Sequence, residues 1–341
     1  MLLAPATGGV TSEFLRSQVE VETSVCTTAQ DARDKLSGLR STVTRAAAEY
    51  GLAPIAASTH LIPSWTDQQY TDKERYNLLA EDLQAVAQRL LICGMHAHVG
   101  IDDDDLRIDL LNQVSYFLPH LLALSTPSRF WQGPDTGLMS YRLSVFDVLP
   151  RTRLPERFES YGEYSRHLEM LVHAGLIEDS TKIWWDIRPS WKHPTLEMRI
   201  TDVCTRMDDS ITIAALFTCL LSMLVRLRRD NQRWRRYANM LCRKTDGARS
   251  VTGELVDFGK GALVPYANLL DELIGLVRDD AERLSCVAEV DNACDILVRG
   301  TSAQRQITIY EAALQEGADS KKALEAVVDW LIEETTYGVL S

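Results

Sequence analysis

No two cysteines in this chain are spaced as Cys-x-x-Cys. Its seven cysteines, at 26, 93, 204, 219, 242, 286 and 294, are scattered and odd in number. That distribution fits reduced thiols in the cytoplasm better than a disulfide framework and forms no zinc site with the histidines. Basic charge is also short: 36 Lys and Arg stand against 48 Asp and Glu, a net charge of −12 at pH 7. Such a chain repels phosphate backbones and anionic lipid, so neither nucleic acid nor membrane is an expected partner. No apolar run reaches the roughly 20 residues of a bilayer-crossing helix. The longest, Ile211 to Val225, contains Thr212, Thr218 and Ser222 and reads as a buried core helix. The opening MLLAPATGGVTSEF has neither the basic lead nor the apolar stretch of a secretion signal. Internal repeats and low-complexity tracts are missing too. The 45% hydrophobic and 25% charged residues, over 341 in all, are those of an ordinary globular protein.

What is present is an alternation of short strand-like runs and helices. Phe14 to Thr23 places Val19 and Val21 on one face and Gln18, Glu20 and Glu22 on the other, the period of a half-buried strand. Helical spacing follows from Thr27 to Tyr50, with Gly51 as its stop. Pro54 to Thr59 reads as a second strand, Asp72 to Leu91 as a second helix, and MHAHVGI (95–101) as a third strand. One long helix is expected from Leu106 to Leu124. Residues 126–155 carry Pro, Gly and aromatics without periodicity; a loop of that length is usually functional, and Phe130, Trp131 and Tyr141 argue against disorder. After a helix over Tyr161 to Ala174, Ile183 to Arg188 and Thr195 to Thr201 read as a hairpin. From Met207 the chain reads as helical almost to its end. The expected fold class is α+β: one mostly antiparallel sheet with helices on it and a helical C-terminal region, in a single domain over residues 1–341.

Three strands put ionisable groups on shared faces. Glu20 lies opposite the valines of the first. His96 and His98, two apart, project together from the strand MHAHVGI. Glu197 and Arg199 alternate with Leu196, Met198 and Ile200. Adjacent strands would gather these into one cluster of carboxylates, imidazole and guanidinium. Carboxylate-rich donors with one imidazole suit Mg2+ or Mn2+ better than zinc. Taken singly, each has a plainer reading: Glu20 as a solvated strand residue, the histidines as structural hydrogen-bond partners, Glu197 with Arg199 as an ion pair. His-x-His on a strand also opens the metal site of amidohydrolase barrels. That layout fails here, because His120 lies within a helix and His167 and His173 lie on another.

SQVEVET (17–23), GMHAHVGI (94–101), SRFWQGPDTGLMSYR (128–142), IWWDIRPS (183–190), TLEMRITD (195–202) and GTSAQRQ (300–306) occur in that order. Together they resemble the type 2 glutamate–cysteine ligase family, bacterial ATP-dependent carboxylate–amine ligases with a glutamine synthetase-like fold. The resemblance implies that the γ-carboxylate of glutamate attacks the γ-phosphate of ATP, giving an acyl phosphate. An amine, by default that of cysteine, then displaces phosphate. The protein's part in such chemistry is to gather like charges and stabilise a transferring phosphoryl group. The resemblance further implies ATP and Mg2+ (or Mn2+) as cofactors, amino acids as substrates, and a homodimer. Glu20, His96 and Glu197 are the implied metal ligands. Arg199 and Arg188 are the implied catalytic arginines, meeting the phosphoryl group bidentately as lysine does less well. His98, Arg142 and Trp131 are candidate cofactor contacts, with Glu13 and Tyr141 as further candidates.

Two departures from the family pattern bear on function. Its members usually begin with a strand reading roughly Gly-Ile-Glu-Glu-Glu, and no such stretch precedes SQVEVET here. Loss of that strand would remove acidic ligands and leave a sheet edge unpaired. The alternative expectation is therefore a truncated or catalytically impaired relative, acting only in ligand binding or dimerisation. Arg129 and Pro134 also stand where the family usually has Pro and Arg, a displaced charge that bears on substrate choice, and a different amine acceptor is a third reading. Two charged runs read as structural. Asp102 to Asp105 caps the helix that follows, and RLRRDNQRWRR (226–236) is a solvated helix end with ion pairs.

Overall fold

The computed structural model describes residues 8–62, 68–73, 90–234, 253–257 and 259–339. Helix α1 (Ala29–Ala48) starts where the Thr28 hydroxyl accepts the Asp31 amide at 3.0 Å. It stops before Gly51, whose φ of 68° is the left-handed conformation glycine adopts without a Cβ penalty. The long helix expected after the His-x-His strand is two helices, α2 (Asp104–Val114) and α3 (Leu118–Ser125). Pro119 is the cause. Inside one continuous helix its ring would meet the Ser115 carbonyl, so the chain turns and restarts with proline in the first turn. The acidic run caps as expected, Asp103 accepting the Leu106 amide at 2.7 Å.

Strand pairing departs from one continuous sheet. β1 (Gly9–Ser12), which the alternation does not predict, pairs antiparallel with β2 (Val19–Glu22), Thr11 opposite Glu20. The edge expected to be bare is thus covered on that side, by a strand with no carboxylate. The remaining strands are β3 (Ala97–Gly100), β4 (Thr152–Arg153), β5 (Trp184–Trp185), β6 (Ile187–Pro189), β7 (Thr195–Met198), β8 (Glu254–Asp257) and β9 (Ala262–Pro265). Among the described residues they form an antiparallel sheet in the order β3-β7-β6, a parallel pair β4-β5 and a hairpin β8-β9. The expected strand Ile183 to Arg188 divides at Asp186: β5 turns to β4, and β6 makes the expected hairpin with β7. Each tryptophan of β5 finds its own cover, Trp185 against Phe158 and Tyr164, Trp184 under the Arg151 guanidinium. Pro54 to Thr59 is not a strand; Thr59 alone forms a bridge, to Ile92. The helix expected over Asp72 to Leu91 lies outside the described residues for 74–89.

The other helices among the described residues are α4 (Tyr141–Phe146), α5 (Tyr161–His173), α6 (Met207–Arg229), α7 (Tyr266–Arg283), α8 (Val287–Arg299), α9 (Ser302–Gln315) and α10 (Ser320–Thr336). The hairpin β8-β9 interrupts the expected helical stretch. By length and composition α6 would suit a bilayer, yet 67% of its apolar window is buried inside the protein. It packs against α1, α2, α3, α7 and α8. Its threonine hydroxyls are bonded, Thr218 donating to the Ala214 carbonyl one turn back at 2.8 Å and Thr212 accepting from Asn292 of α8 at 2.8 Å. Two of the arginines at its end form ion pairs, Arg226 with Asp280 at 2.8 Å and Arg228 with Asp109 at 3.8 Å; residues 235 and 236 of the arginine run lie outside the described residues. Ala97, Val99, Ile187, Leu196 and Met198 join the same core, which fixes the inner face of the three-stranded sheet. The six described cysteines are all free.

Candidate active site

Register builds the site. With β7 central, Glu197 stands opposite His98 of β3 and opposite Arg188 of β6. Leu196 and Met198 face the core, so the row of imidazole, carboxylate and guanidinium lies on the other face. Arg188 donates Nε to Glu197 Oε2 at 2.7 Å and Nη2 to Oε1 at 3.4 Å. Its Nη1 donates to the carbonyls of Thr181 and Ile183. Arg199, two residues along, donates Nη1 to Glu197 Oε1. His96 Nδ1 and His98 Nε2 lie 3.6 and 3.8 Å from that same oxygen. The other nitrogen of His98 is held by Thr195 Oγ1 at 3.0 Å.

Glu197 is 3% exposed. Burial alone would raise its carboxyl pKa, but Arg199 and Arg188, then His96 and His98, outweigh it and hold the group well below the usual carboxylate range. The surrounding protein, reinforced by the charge of Arg199 and opposed by Glu197, pushes both imidazoles below their ordinary value and favours their neutral form, although His96 itself is open to solvent. Burial lowers Arg199 to about 10, with Arg188 adding to the effect, and leaves it cationic at neutral pH. Its Nε is buried without an acceptor among the described residues. A charged donor in that state is costly to leave unpaired, and an anionic oxygen would satisfy it.

Glu20 lies on β2, outside the three-stranded sheet, where it is open to solvent but close enough to feel the charge of Arg199. The surrounding protein, then the repulsion of Glu13 and Glu22, raises its carboxyl to about 7. These donors do not make a ready cation site. Both oxygens of Glu197 are taken by guanidinium groups, and among the described residues no three His, Cys, Asp or Glu side chains are grouped to hold a metal ion. The arrangement suits an incoming anion.

Arg142 and Trp131 are placed differently. Arg142 is 4% exposed, its guanidinium directed to the backbone of Arg199 and Ile200 rather than to the open side. Trp131 packs on Tyr141, ring centroids 5.4 Å apart, and on a cluster with Phe14, Leu15, Leu91 and Leu149. Arg129 is held by Asp135 at 2.9 Å. Sequence reasoning assigned nothing to Gly94, Ser128 or Asp202, yet all three surround Arg142. Their signal was present: Gly94 and Asp202 lie inside the quoted motifs, the latter out of phase with the alternation of Glu197 and Arg199.

The sequence model described as "Glutamate-cysteine ligase family 2 (GCS2)" matches residues 2–328. A protein of Rhodospirillum rubrum named "Putative glutamate--cysteine ligase 2" is 58% identical over 331 residues, covering 96% of this chain and 85% of that protein. One of the same name from a Jannaschia species is 51% identical, covering 95% of this chain and 86% of its own length. Two solved structures share the fold. The glutamate–cysteine ligase of Francisella tularensis in complex with AMP superposes with a TM-score of 0.67 at 13% identity, over 97% of this chain and 83% of that one. The Pup ligase PafA in complex with ADP gives 0.55 at 10% identity, over 95% and 70%. This chain belongs to the glutamate–cysteine ligase family 2, ATP-dependent ligases that form carbon–nitrogen bonds.

Proposed function

We propose that this chain joins the γ-carboxyl group of glutamate to the amino group of cysteine in two steps. In the first, the carboxylate takes the γ-phosphoryl group of ATP, whose bond to ADP breaks, giving γ-glutamyl phosphate. In the second, the amine attacks the acyl carbon, phosphate leaves, and loss of a proton completes the amide. The observation that carries the reading is the convergence of Arg188 and Arg199 on one buried carboxylate, with Arg199 Nε lacking an acceptor among the described residues. Arg199 keeps a charged donor for a phosphate oxygen, while Arg188, engaged at every nitrogen, fixes the carboxylate that holds it. Neutral His96 and His98 border them without adding charge. Magnesium or manganese belongs to the nucleotide substrate in this reading. Free cysteines and an acidic surface support a cytoplasmic setting, and the family likeness supports a homodimer. β1, with no acidic side chain beside β2, favours a second reading in which ligands bind without turnover. ADP release measured with ATP, Mg2+ and glutamate, with and without a panel of amines including cysteine, separates the two. Release that depends on cysteine supports the ligase; silence of the folded protein across the panel refutes it.

A further inference from the structure

Between the Ala97–Met198 pair and the Gly94–Asp202 bridge, the β3 side advances three residues and the β7 side four. The extra residue is a bulge at Arg199 and Ile200, a device that interrupts the ladder and re-aims a side chain. A bulge leaves backbone groups without their ladder partners, and here all four are accounted for. Both amides donate to the Asp186 carbonyl, at 2.7 Å from Arg199 and 3.1 Å from Ile200. Both carbonyls accept from Arg142, Arg199 O from Nη2 at 3.2 Å and Ile200 O from Nη1 at 3.1 Å. Arg142 is kept there by three neighbours. Fully buried Asp202 lies 3.6 Å away and is itself held by Ser128 at 3.2 Å. At Gly94 any side-chain carbon would overlap the Arg142 guanidinium.

We infer that Arg142, seated by Asp202 and Gly94, is a positioning residue: it holds the bulge that aims the Arg199 guanidinium at the phosphoryl group. The inference rests on the proposed role of Arg199. A planar fork meets two adjacent carbonyls, which the single ammonium of lysine does not do, so charge alone is not sufficient. The side-chain direction of Arg199 follows from its own backbone dihedrals, and a misplacement of about 1 Å at such a group costs on the order of 100-fold in rate.

The test is a kinetic cycle on the full chain, read by amine-dependent ADP release, with melting curves as the check on folding. Arg142→Lys is expected to lower kcat at least about tenfold while leaving KM for ATP and glutamate within about twofold, the pattern of an interaction that matters in the transition state. In an Arg199→Lys background the same change should cost less than about threefold, because both act through one group. Asp202→Asn and Gly94→Ala, which disturb the seat without removing Arg142, should show the same split and keep the inference testable if Arg142→Lys does not fold. An unchanged kcat in folded Arg142→Lys, or a full tenfold loss added on top of Arg199→Lys, overturns it. If Arg199→Lys itself turns over normally, the assignment of Arg199 fails instead, and the two failures are told apart.

Discussion

Replacing Glu197 by glutamine tests stability and chemistry at once. The carboxylate is 3% exposed and accepts from two guanidinium groups whose side chains are 16% and 13% exposed. Glutamine keeps the shape and one acceptor oxygen but removes the charge, leaving two cations side by side. Breaking a buried ion pair from one side costs about 3–5 kcal/mol, and the retained oxygen places this change near 3 kcal/mol. For 341 residues the entropy of unfolding is about 0.7 kcal/mol/K, so Tm should fall by roughly 4 °C. Released from their anchor, Arg188 and Arg199 no longer present fixed donors, and turnover should fall on the order of 100-fold or more, as when such a donor is removed from an active site. Differential scanning calorimetry and ADP release on the same preparation give both numbers. A Tm within about 1 °C of the parent and a turnover within about twofold would refute both the electrostatic argument and the site.

Buried His120 is pushed down to about 4, chiefly by burial among aromatic rings, while an unfolded histidine titrates near 6.5. The folded state therefore refuses a proton that the unfolded state takes, and stability is lost as pH falls from about 6.5 towards 4. By pH 5 that loss is about 2 kcal/mol, so His120→Phe should melt with a drop between pH 7 and 5 smaller by roughly 3 °C; an equal drop in both proteins rules the argument out. Thr301 begins α9 with its amide on Gln304 at 2.8 Å and its hydroxyl bonded to Thr126 at 2.9 Å. Thr301→Ala should cost about 1–2 kcal/mol, seen as a Tm lower by roughly 2 °C. Asp280, at the core of an ion cluster with Arg226 and Arg283, should behave as structure alone. Asp280→Asn should lower stability by about 1–3 kcal/mol with kcat unchanged, and a loss of turnover in the folded variant would contradict that.

Much of this was legible in local pattern. The alternation in TLEMRITD separates Leu196 and Met198 from Glu197 and Arg199, and the structure puts the first pair in the core and the second on the polar face. The capping run at Asp103 and the core helix α6 follow from side-chain chemistry within one turn. What stayed hidden depends on partners distant in sequence. The division at Asp186 arises because two strands compete for neighbours on either side of it. The bulge at Arg199 exists only in the register between β3 and β7, and a period-2 reading has no means of counting an unpaired residue. The motif around Arg142 marks it as a candidate contact but does not show the direction of its side chain, which here runs to the backbone of Arg199 and Ile200. Glu20 was grouped with the other strands on face alone, whereas its strand pairs with β1.

Two clusters of buried charge in this protein look alike in composition and differ in one respect. At Asp280, Ser222 and Arg283 bond one carboxylate oxygen and Arg226 bonds the other. Among the described residues no buried atom of that cluster lacks a partner. At Glu197 the two arginines meet on the carboxylate, yet Arg199 Nε is buried with no acceptor among the described residues. A buried ionic group gives little stability that a well-packed apolar one would not match, so its retention in the middle strand of a sheet is poorly explained by folding alone. An unsatisfied charged donor makes that explanation weaker still, because it adds a desolvation cost with no return within the fold. The cost is recovered when an anionic oxygen reaches the guanidinium, and the phosphate-transferring chemistry of a ligase supplies one. Strongly shifted groups mark structural networks as readily as active sites; the incomplete hydrogen bonding of Arg199 is what separates the two here.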